Sequence, residues 1–577
     1  MRDSGALRVA SGRGAAALAA LGAAAVSLFL VYDHTREDSF SADEPVHILS
    51  GYFEVSARNA IVNIEHPPLM KILAGLGLLA LPLPPPPARV PMGNRFTDFG
   101  HDLLFRGPVS PDAIAAAARA PFLIVLAGLL AAVFFEARSR YGNAPALFAV
   151  ALLAFDPNLV AHAGVVHTDL GAALTFLVSV LAWERARTGG AGRLALAAAA
   201  LGLALATKFS AVYLFPILLL QGFLAVRRAP EPGRAATRML GRFAVVAAGA
   251  LLVVLAVYAF VTARMDRADQ RQVIHEMVAW RGAPALSAAI ERIAGVCPPL
   301  GHYLGGLASV VRQNAEGGGV NYLFGKVSVT GFPLYFLVAF LAKSTLAFLL
   351  VTALSIVFLA RDREARREAP LFLLPVGVLF LASVGSSYNI GIRHLLPVYP
   401  FLALSAAGLF ARERRRSRHP AVWLAVLLPI ISAVEVLRIH PHELSYFNPV
   451  AGGPERGKKI LSDSNVDWGL DLRRLAAELG RRGEARPTVA YFGGDDALFR
   501  LSVPDFVAEP AVRGRLVAIS VFYRTEGPAY WRYHGAPQVA LALERLFAEL
   551  AARGRPAGRV GHSIELFELP RPGSISP

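Results

Sequence analysis

Two adjacent carboxylates, Asp43 and Glu44, lie in the stretch SADEPVHILSGYF, just after an apolar segment long enough to cross a bilayer. Neighbouring carboxylates repel each other and charge is costly beside lipid, which favours a functional role for the pair. A carboxylate here could take a proton from an attacking hydroxyl, as a general base does. The structural alternative is that Ser41, Asp43 or Glu44 caps a helix with Pro45 in its first turn.

Three cations are expected at the same outer boundary of the membrane. Lys71 follows His66 in EHPPLMK, Lys208 interrupts the apolar stretch LATKFSAVYLFP, and Arg393 and His394 open a span in SSYNIGIRHLLPVYP. Because most other basic residues are expected on the inner side, this cluster predicts an anionic ligand, and at this depth a lipid phosphate. For Lys71 alone, snorkelling to the interface is the structural alternative.

Further polar residues occur in FDPNLVAHAGVVHTDLG, at the outer end of another span. Asp169 is expected inside the next span, where a carboxylate is a functional hypothesis by default. His162 and His167 lack the i, i+4 spacing of a helical metal pair, so this stretch does not favour a metal site. After the last span, DSNVDWGL carries Asp467, which either faces the site or belongs to a turn before a helix.

Composition identifies the class of protein that must position these groups. The chain has 577 residues, of which 55% are hydrophobic and 17% charged, and the apolar residues fall in blocks of bilayer length. The formal net charge of +16 does not indicate nucleic-acid binding, because the basic residues cluster in short loops, as the positive-inside rule describes. One cysteine, Cys297, excludes an intramolecular disulfide.

The blocks predict an α-helical polytopic membrane protein with about eleven spans. The candidate spans are residues 14–32, 118–137, 143–156, 159–183, 193–207, 209–226, 242–263, 331–359, 370–385, 394–411 and 420–437. Three arginine clusters lie in the connectors on one side, at Arg227–Arg238, Arg361–Arg367 and Arg412–Arg418, and Arg2 precedes the first span. The positive-inside rule then predicts a multi-pass cell-membrane protein with a cytoplasmic N-terminus and an outer C-terminus.

This topology predicts two parts. Residues 1–438 form the transmembrane domain, with long outer loops at 33–117 and 264–330, and residues 69–81 form an interfacial helix. Residues 439–577 form a small extracytoplasmic α/β domain. In that domain KKILSDSN, PTVAYFGG, RLVAISVFY and RVGHSIELFEL are expected strands, while DLRRLAAELGRRG and VALALERLFAELAARG are expected helices.

Acids and cations at one membrane boundary fit the chemistry of a sugar carried on a lipid phosphate. Cations stabilise the departing phosphate, and Asp43 or Glu44 activates the acceptor hydroxyl. A base opposite the leaving group predicts single displacement with inversion at the anomeric carbon.

Several stretches together resemble the polyprenyl-phosphate-sugar-dependent membrane glycosyltransferases of the GT-C class, close to the protein O-mannosyltransferases of glycosyltransferase family 39. They are ADEP, EHPPLMK, FDPNLVAHAGVVHTDLG, LATKFSAVYLFP, YNIGIRHLLPVYPF and HELSYFNPVAGGPERGKKILSDSNVDWGLDL. The resemblance implies that Asp43 is catalytic and that Lys71 lies near the donor phosphate. The chain departs from the family pattern at His167, where a threonine is expected, and at Leu470, where a glutamine is expected.

The sequence therefore predicts an inverting glycosyltransferase that uses a polyprenyl-phosphate sugar, acts on a protein, lipid or glycan acceptor, contacts membrane lipids and binds no nucleic acid. Asp43 is the base, and Glu44 positions it or binds the acceptor. Lys71, Arg393, Lys208 and His394 bind the donor phosphate, and His66, Asp169 and Asp467 bind substrate. No cofactor is required, although two carboxylates could ligate a divalent metal. The alternatives are a transporter or flippase of a lipid-linked saccharide and a non-enzymatic sensor or scaffold.

Overall fold

The computed structural model describes residues 3–87, 97–415 and 419–570. Arg2 at the start of the chain, and Arg416 and Arg418 of the third arginine cluster, lie outside the described residues. Short helices and one long helix form the first part: α1 (Asp3–Thr35), α2 (Glu44–Tyr52), α3 (Leu69–Leu78) and α4 (Thr97–His101). π-Helical turns at Phe53–Ala57 and Asp102–Arg106 extend α2 and α4. Helix α3 lies within residues 69–81, where a helix was predicted, and its position at the membrane interface stays a prediction.

The central part is built from long apolar helices and one broken pair. They are α5 (Pro111–Tyr141), α6 (Asn143–Ala154), α7 (Pro157–Ala163), α8 (Asp169–Ala186), α9 (Ala191–Thr207), α10 (Leu214–Val226) and α11 (Pro232–Val261). The second long loop then folds as α12 (Arg267–Val278), α13 (Pro284–Val296), α14 (Pro298–Glu316) and the antiparallel pair β1 (Asn321–Leu323) and β2 (Lys326–Ser328).

Five further helices complete the apolar region: α15 (Tyr335–Lys343), α16 (Leu346–Arg361), α17 (Ala369–Val384), α18 (Tyr399–Arg415) and α19 (His419–Ile439). Their buried aliphatic and aromatic side chains form one continuous core with those of α1 and α5–α11. A 3₁₀ segment, Ile392–Val398, leads into α18, and another, Phe209–Tyr213, leads into α10.

Five helical segments of the described residues are long and apolar enough to cross a membrane: Gly14–Thr35, Pro111–Tyr141, Phe209–Val226, Pro232–Val261 and Ile392–Arg414. Two bent pairs raise the number to seven, α6 with α7 at 64° and α15 with α16 at 118°. The multi-pass membrane character is thereby confirmed, but the count of about eleven is not. Helices α9 and α17 are apolar yet shorter than a full span, and residues 159–183 are divided between α7 and α8.

The connectors include two groups that each make contacts among themselves. The loop before α2 pairs with the chain after α19, since Ser39 N donates to Leu470 O and Ala42 N to Trp468 O, both at 2.9 Å. The arginine-rich connectors contact each other instead, for example Arg412 with Asp362 at 2.9 Å. The acidic pair is therefore separated from the arginine-rich connectors.

The last part of the chain contains a four-stranded mixed sheet with helices on both faces. Its elements are α20 (Gly453–Gly457), α21 (Leu472–Arg482), β3 (Thr488–Ala490), α22 (Ala497–Leu501), β4 (Leu516–Ser520), α23 (Val521–Thr525), α24 (Gly527–Tyr533), α25 (Pro537–Arg553), β5 (Arg555–Val560) and β6 (Ile564–Glu568). The strand order is β3-β4-β6-β5, with β3 and β4 parallel and the other pairs antiparallel.

Most of the strands and helices predicted for the last part of the chain are present. The expected strand at KKILSDSN is wrong, because those residues form turns and the 3₁₀ segment Asp463–Asn465. Their polar groups are satisfied locally, as when Ser464 N bonds the Asp463 carboxylate, rather than by a ladder of backbone hydrogen bonds. Most side chains of strand β5 are exposed, so its sequence has no clear hydrophobic pattern from which a strand could be predicted.

A histidine joins the first helix to the chain after α19. His440 lies with Nδ1 2.6 Å from a Glu443 oxygen and Nε2 3.0 Å from an Asp33 oxygen. The hydrogen bond to Glu443, with the charges of both carboxylates, raises the pKa of His440 to about 9.

We expect this contact to make stability depend on pH. A raised histidine pKa gives stabilisation that is complete below the unfolded-state pKa of about 6.5 and is lost as pH rises through about 9. Allowing for solvent screening at the half-exposed Asp33, the loss is about 2 kcal/mol. Thermal unfolding of the detergent-purified protein at pH 6 and pH 9.5 measures it. The variant His440→Gln should lose this part of the pH dependence, and an equal loss in both proteins would contradict the assignment.

Candidate active site

The start of α2 holds Glu44 in a buried network. Its two carboxylate oxygens accept four hydrogen bonds, from Ser41 N at 2.8 Å, Val166 N at 3.0 Å, and Arg119 Nε and Nη2 at 2.8 and 2.7 Å. Glu44 is 0% exposed and Arg119 4%. The guanidinium also donates to the backbone oxygens of Thr35, Asp38 and Ser39. Glu44 therefore ties α2 to α5 and to the α7–α8 turn.

Asp43 points elsewhere. Its side chain makes no capping hydrogen bond to α2, and 41% of it is exposed. One oxygen, Oδ2, lies 3.3 Å from Arg393 Nη1 and 3.5 Å from His167 Nε2. Burial alone would raise the pKa of Asp43, but the contact with His167 and the Arg393 charge outweigh this and hold the pKa below its ordinary value. Asp43 is thus an ionised carboxylate with an accessible face.

The two carboxylates therefore do not act as a pair. Successive residues at a helix start point in directions about 100° apart, and all the observed Glu44 contacts are with the chain itself. The expectation that both could ligate one divalent metal does not fit this arrangement.

His167 connects Asp43 to Asp169. Its Nδ1 lies 2.6 Å from Asp169 Oδ2, while Nε2 lies 2.9 Å from Arg393 Nη1. A guanidinium has donors and no acceptor, so Nε2 must carry the lone pair and the proton belongs on Nδ1, facing Asp169. Asp169 also forms a close ion pair with Lys208 and lies 3.7 Å from Arg393. Two of the three predicted cations, Lys208 and Arg393, are therefore next to the Asp169 carboxylate.

Two more imidazoles lie beside His167. The ring centroids of His47 and His167 are 4.7 Å apart, those of His47 and His66 4.7 Å, and those of His66 and His167 5.5 Å. Burial, together with the neighbouring His167, lowers the pKa of His47 and of His66 well below the ordinary value. Both rings are therefore neutral near pH 7.

Lys71 belongs to the same region but has its own partners. Its Nζ lies 2.7 Å from Glu54 Oε1 and donates to Asn63 O at 2.9 Å, and the side chain is 2% exposed. Asn63 Oδ1 in turn bonds His66 Nδ1 at 2.9 Å. Lys71 also lines a cavity of about 260 Å³ together with Glu54, His66 and His302.

Close packing of α2 against α3 fixes this arrangement. A Cβ on Gly51 would clash with the Lys71 carbonyl oxygen, and one on Gly75 with the Gly51 carbonyl oxygen. The two backbones therefore approach as closely as glycine allows, which places Lys71 beneath the helix that carries Asp43 and His47.

Trp468 covers Arg393. The guanidinium carbon lies 4.3 Å from the indole centroid, and His162 and His167 pack against the ring at 5.8 and 5.5 Å. The neighbouring Asp467 is used within the last part of the chain: it accepts hydrogen bonds from Gly469 N, from Phe522 N and from the Ser520 hydroxyl. This gives Asp467 a structural role, and its substrate role stays a prediction.

The structure brings together four predicted site residues: Asp43, Arg393, Asp169 and Lys208. His66 packs against His167 beside them, and Lys71 is connected to His66 through hydrogen bonds to Asn63. His394 stacks on Phe336 with ring centroids 5.9 Å apart. Sequence reasoning missed three contributors, Arg119, Glu54 and His47, and it did not predict the cation–π contact of Trp468. Arg119 had a usable signal, because it is a charged residue inside an apolar stretch.

Comparison with protein families finds one match. Residues 112–259 match the family described as dolichyl-phosphate-mannose-protein mannosyltransferase. The matched segment is about a quarter of the chain and contains α6 to α10 and most of α5 and α11. The resemblance to polyprenyl-phosphate-sugar glycosyltransferases near the protein O-mannosyltransferases is thereby confirmed. Comparison with curated proteins gives no match.

Solved structures of two proteins are similar in shape. The archaeal oligosaccharyltransferase AglB from Archaeoglobus fulgidus, in complex with an inhibitory peptide and a dolichol-phosphate, is 14% identical with a TM-score of 0.43; the match covers 72% of this chain and 56% of that one. The Archaeoglobus fulgidus oligosaccharyltransferase in complex with Zn and sulfate is 13% identical with a TM-score of 0.40, and the match covers 72% of this chain and 53% of that one. ArnT from Cupriavidus metallidurans, bound to undecaprenyl phosphate, is 15% identical with a TM-score of 0.33, and the match covers 95% of this chain and 97% of that one.

This chain thus spans little more than half the length of the archaeal enzyme.

Proposed function

We propose that this protein is an inverting glycosyltransferase that moves a hexose from a polyprenyl phosphate to a hydroxyl acceptor on the non-cytoplasmic membrane face. One observation carries the proposal: an accessible, ionised Asp43 lies 3.3 Å from the buried cation Arg393. The contact brings a base and a cation to one site, and the reacting sugar must come between them for the two groups to act on opposite faces of the anomeric carbon. The confirmed family resemblance supports the same class of donor.

The reaction needs few groups. The acceptor oxygen attacks the anomeric carbon while its proton passes to Asp43, and the bond from that carbon to the phosphate oxygen breaks with its electrons leaving on the phosphate. Arg393 and Lys208, held together by Asp169, stabilise the charge that develops there. His66 and His394 complete the donor side. Glu44 acts as a positioning residue, since its contacts fix the backbone on both sides of Asp43.

The arrangement in the membrane is part of the proposal. Residues 1–438 would form the transmembrane domain, with the shorter apolar helices α9 and α17 completing a bundle of about eleven spans. The N-terminus would be cytoplasmic and residues 439–577 extracytoplasmic. The contacts of the Asp43 loop with Trp468 and Leu470 support a common side for the site and the last part of the chain.

Transfer by purified protein tests the function. The full chain in detergent is given polyprenyl-phosphate hexoses labelled in the sugar, with hydroxyl acceptors of the peptide, lipid and glycan classes. We expect release of free polyprenyl phosphate together with a labelled acceptor whose anomeric configuration is inverted. Retention of configuration would refute the single displacement, and no release with any donor would refute the transferase.

A transporter of lipid-linked saccharides is the second candidate, because the chain has two bent helix pairs that contact each other. Asn158, at the start of α7, donates to the Lys343 carbonyl at the end of α15 at 2.8 Å. However, Lys343 Nζ donates to the carbonyls of Leu444 and Asn465, and Asp156 caps α7. Apart from Asp156 Oδ2, these polar groups at the two bends are bonded within the chain. Movement of labelled donor across proteoliposomes without transfer would favour the transporter.

Lys71 is proposed to bind the donor phosphate when Glu54 releases it. We expect Lys71→Met to lower kcat/KM for the donor about tenfold or more, because a buried cation facing the phosphate is lost. The measurement compares donor kinetics for Lys71→Met and for Lys71→Met/Glu54→Gln, in which no unpaired carboxylate remains. If the double variant regains wild-type kinetics, Lys71 serves only to neutralise Glu54.

A further inference from the structure

We infer that His47, His66 and His167 form a binding site for one divalent transition-metal ion of the Zn²⁺ type. The inference goes beyond the proposed sugar transfer, which needs no metal in the scheme above. It also differs from the sequence expectation, which placed a metal on the two carboxylates. Four features of the three imidazoles support the inference: their spacing, the placement of their lone pairs, their burial and the charges around them.

Spacing comes first. One ligand nitrogen from each ring lies within 4.8 Å of the other two. Three points at that limiting separation share a centre roughly 2.8 Å from each, and a zinc–nitrogen bond is about 2.0–2.1 Å long. Each ring therefore needs to move by less than about 1 Å to bind one ion, which small side-chain rotations supply.

The hydrogen bonds around two rings expose the nitrogen that a metal needs. His66 Nδ1 bonds Asn63 Oδ1, and His167 Nδ1 faces Asp169. The Asn63 amide oxygen fixes the proton of His66 on Nδ1, and the donor Arg393 Nη1 requires the lone pair of His167 on Nε2. Metal-bound histidines are held in the same way, by a carboxylate or amide oxygen on the far nitrogen.

Burial supplies the third feature. His47 is 1% exposed, and its Nδ1 has no hydrogen-bond partner among the described residues. An unpaired buried ring nitrogen costs free energy, and a metal would satisfy it. Three imidazole nitrogens favour Zn²⁺ or a neighbouring transition metal over Mg²⁺ or Ca²⁺, which prefer oxygen ligands.

Charge balance is the fourth feature. Arg393 now occupies the lone pair of His167, so an ion must displace this one contact. The guanidinium keeps carboxylate partners within reach, Asp43 at 3.3 Å and Asp169 at 3.7 Å. Asp43 Oδ2, 3.5 Å from His167 Nε2, lies next to the position left open for a fourth ligand and offsets the charge of the ion.

Metal titration tests the site without any activity measurement. The full chain is purified in detergent, stripped with a chelator and titrated with Zn²⁺, and the bound metal is counted by mass spectrometry after dialysis. We expect one ion per chain. His47→Ala and His66→Ala should each weaken the affinity at least about 100-fold, because each removes one of three ligands. The matched control is His275→Ala, which removes an exposed histidine on α12 and should leave the affinity unchanged.

A second measurement covers the case in which these variants fail to fold. Co²⁺ added to the stripped wild-type protein should give the intense visible bands of a four- or five-coordinate nitrogen site. A weak spectrum of six-coordinate cobalt, or Zn²⁺ affinity equal in His47→Ala and the wild type, would overturn the inference. Neither result would affect the proposed transferase, because sugar release is measured separately.

Discussion

Replacing Asp43 by asparagine should reduce sugar transfer about a thousandfold, the usual size of the contribution of a general base. Asparagine has nearly the same shape but cannot take the acceptor proton. The loss should appear in kcat, because the proton moves only during the chemical step. Turnover of a polyprenyl-phosphate hexose by purified wild type and variant, at saturating donor, measures it.

The control separates loss of the base from loss of the fold. Glu37→Gln removes an exposed carboxylate from the same loop and should keep wild-type turnover. Asp43→Asn should unfold at nearly the wild-type temperature, because Arg393 retains Asp169 as a partner. Turnover within a few fold of wild type would show that Asp43 is not the base. If Asp43→Asn does not fold, Asp43→Glu replaces it in the test, because glutamate keeps the carboxylate: partial recovery of turnover would support the role of base, and a folded variant with no turnover would contradict it.

Removing the Arg119 charge should have the largest effect on stability. Arg119→Met leaves the Glu44 carboxylate buried with only two backbone N–H groups, and breaking a buried pair in this way costs about 3–5 kcal/mol. Three backbone oxygens lose their donor as well. Thermal unfolding in detergent, with binding of the donor lipid as a second readout, measures the loss.

An exposed ion pair provides the matched comparison. Arg106 and Asp102 lie four residues apart with both side chains in solvent, so Arg106→Met should change stability by less than about 1 kcal/mol. Similar unfolding temperatures for the Arg119 and Arg106 variants would show that the Glu44 network does not hold the site together. Since Val166 N is one of the Glu44 donors, the Arg119 variant should also lose turnover as the His167 turn shifts.

Sequence reasoning reached the site through topology. Asp43 and Arg393 are 350 positions apart, and charge patterning was enough to predict that both lie at the same end of the helices. Charge patterning could not predict which of these residues contact each other. Whether Lys71 meets a phosphate or Glu54 depends on how closely α2 and α3 approach, which two glycines determine.

The acidic pair shows a second limit. Asp43 and Glu44 are adjacent and chemically alike, yet one is fully buried against Arg119 and the other is accessible. A helix start turns neighbouring side chains apart, and only the position of α5 decides which of them is covered. In the same way, Asp467 was expected at the site, whereas the indole of the next residue, Trp468, is the group that contacts Arg393.

The pairing of Ser39 and Ala42 with Leu470 and Trp468 has a consequence for biosynthesis. The proposed general base, Asp43, comes from the first tenth of the polypeptide, and the ring that covers its cationic partner comes from the last fifth. At ribosomal rates of about 5–20 residues per second, about 20 to 85 seconds separate their synthesis. A nascent chain therefore cannot complete the Asp43–Arg393–Trp468 cluster until nearly all of it has left the ribosome and its final segment has docked.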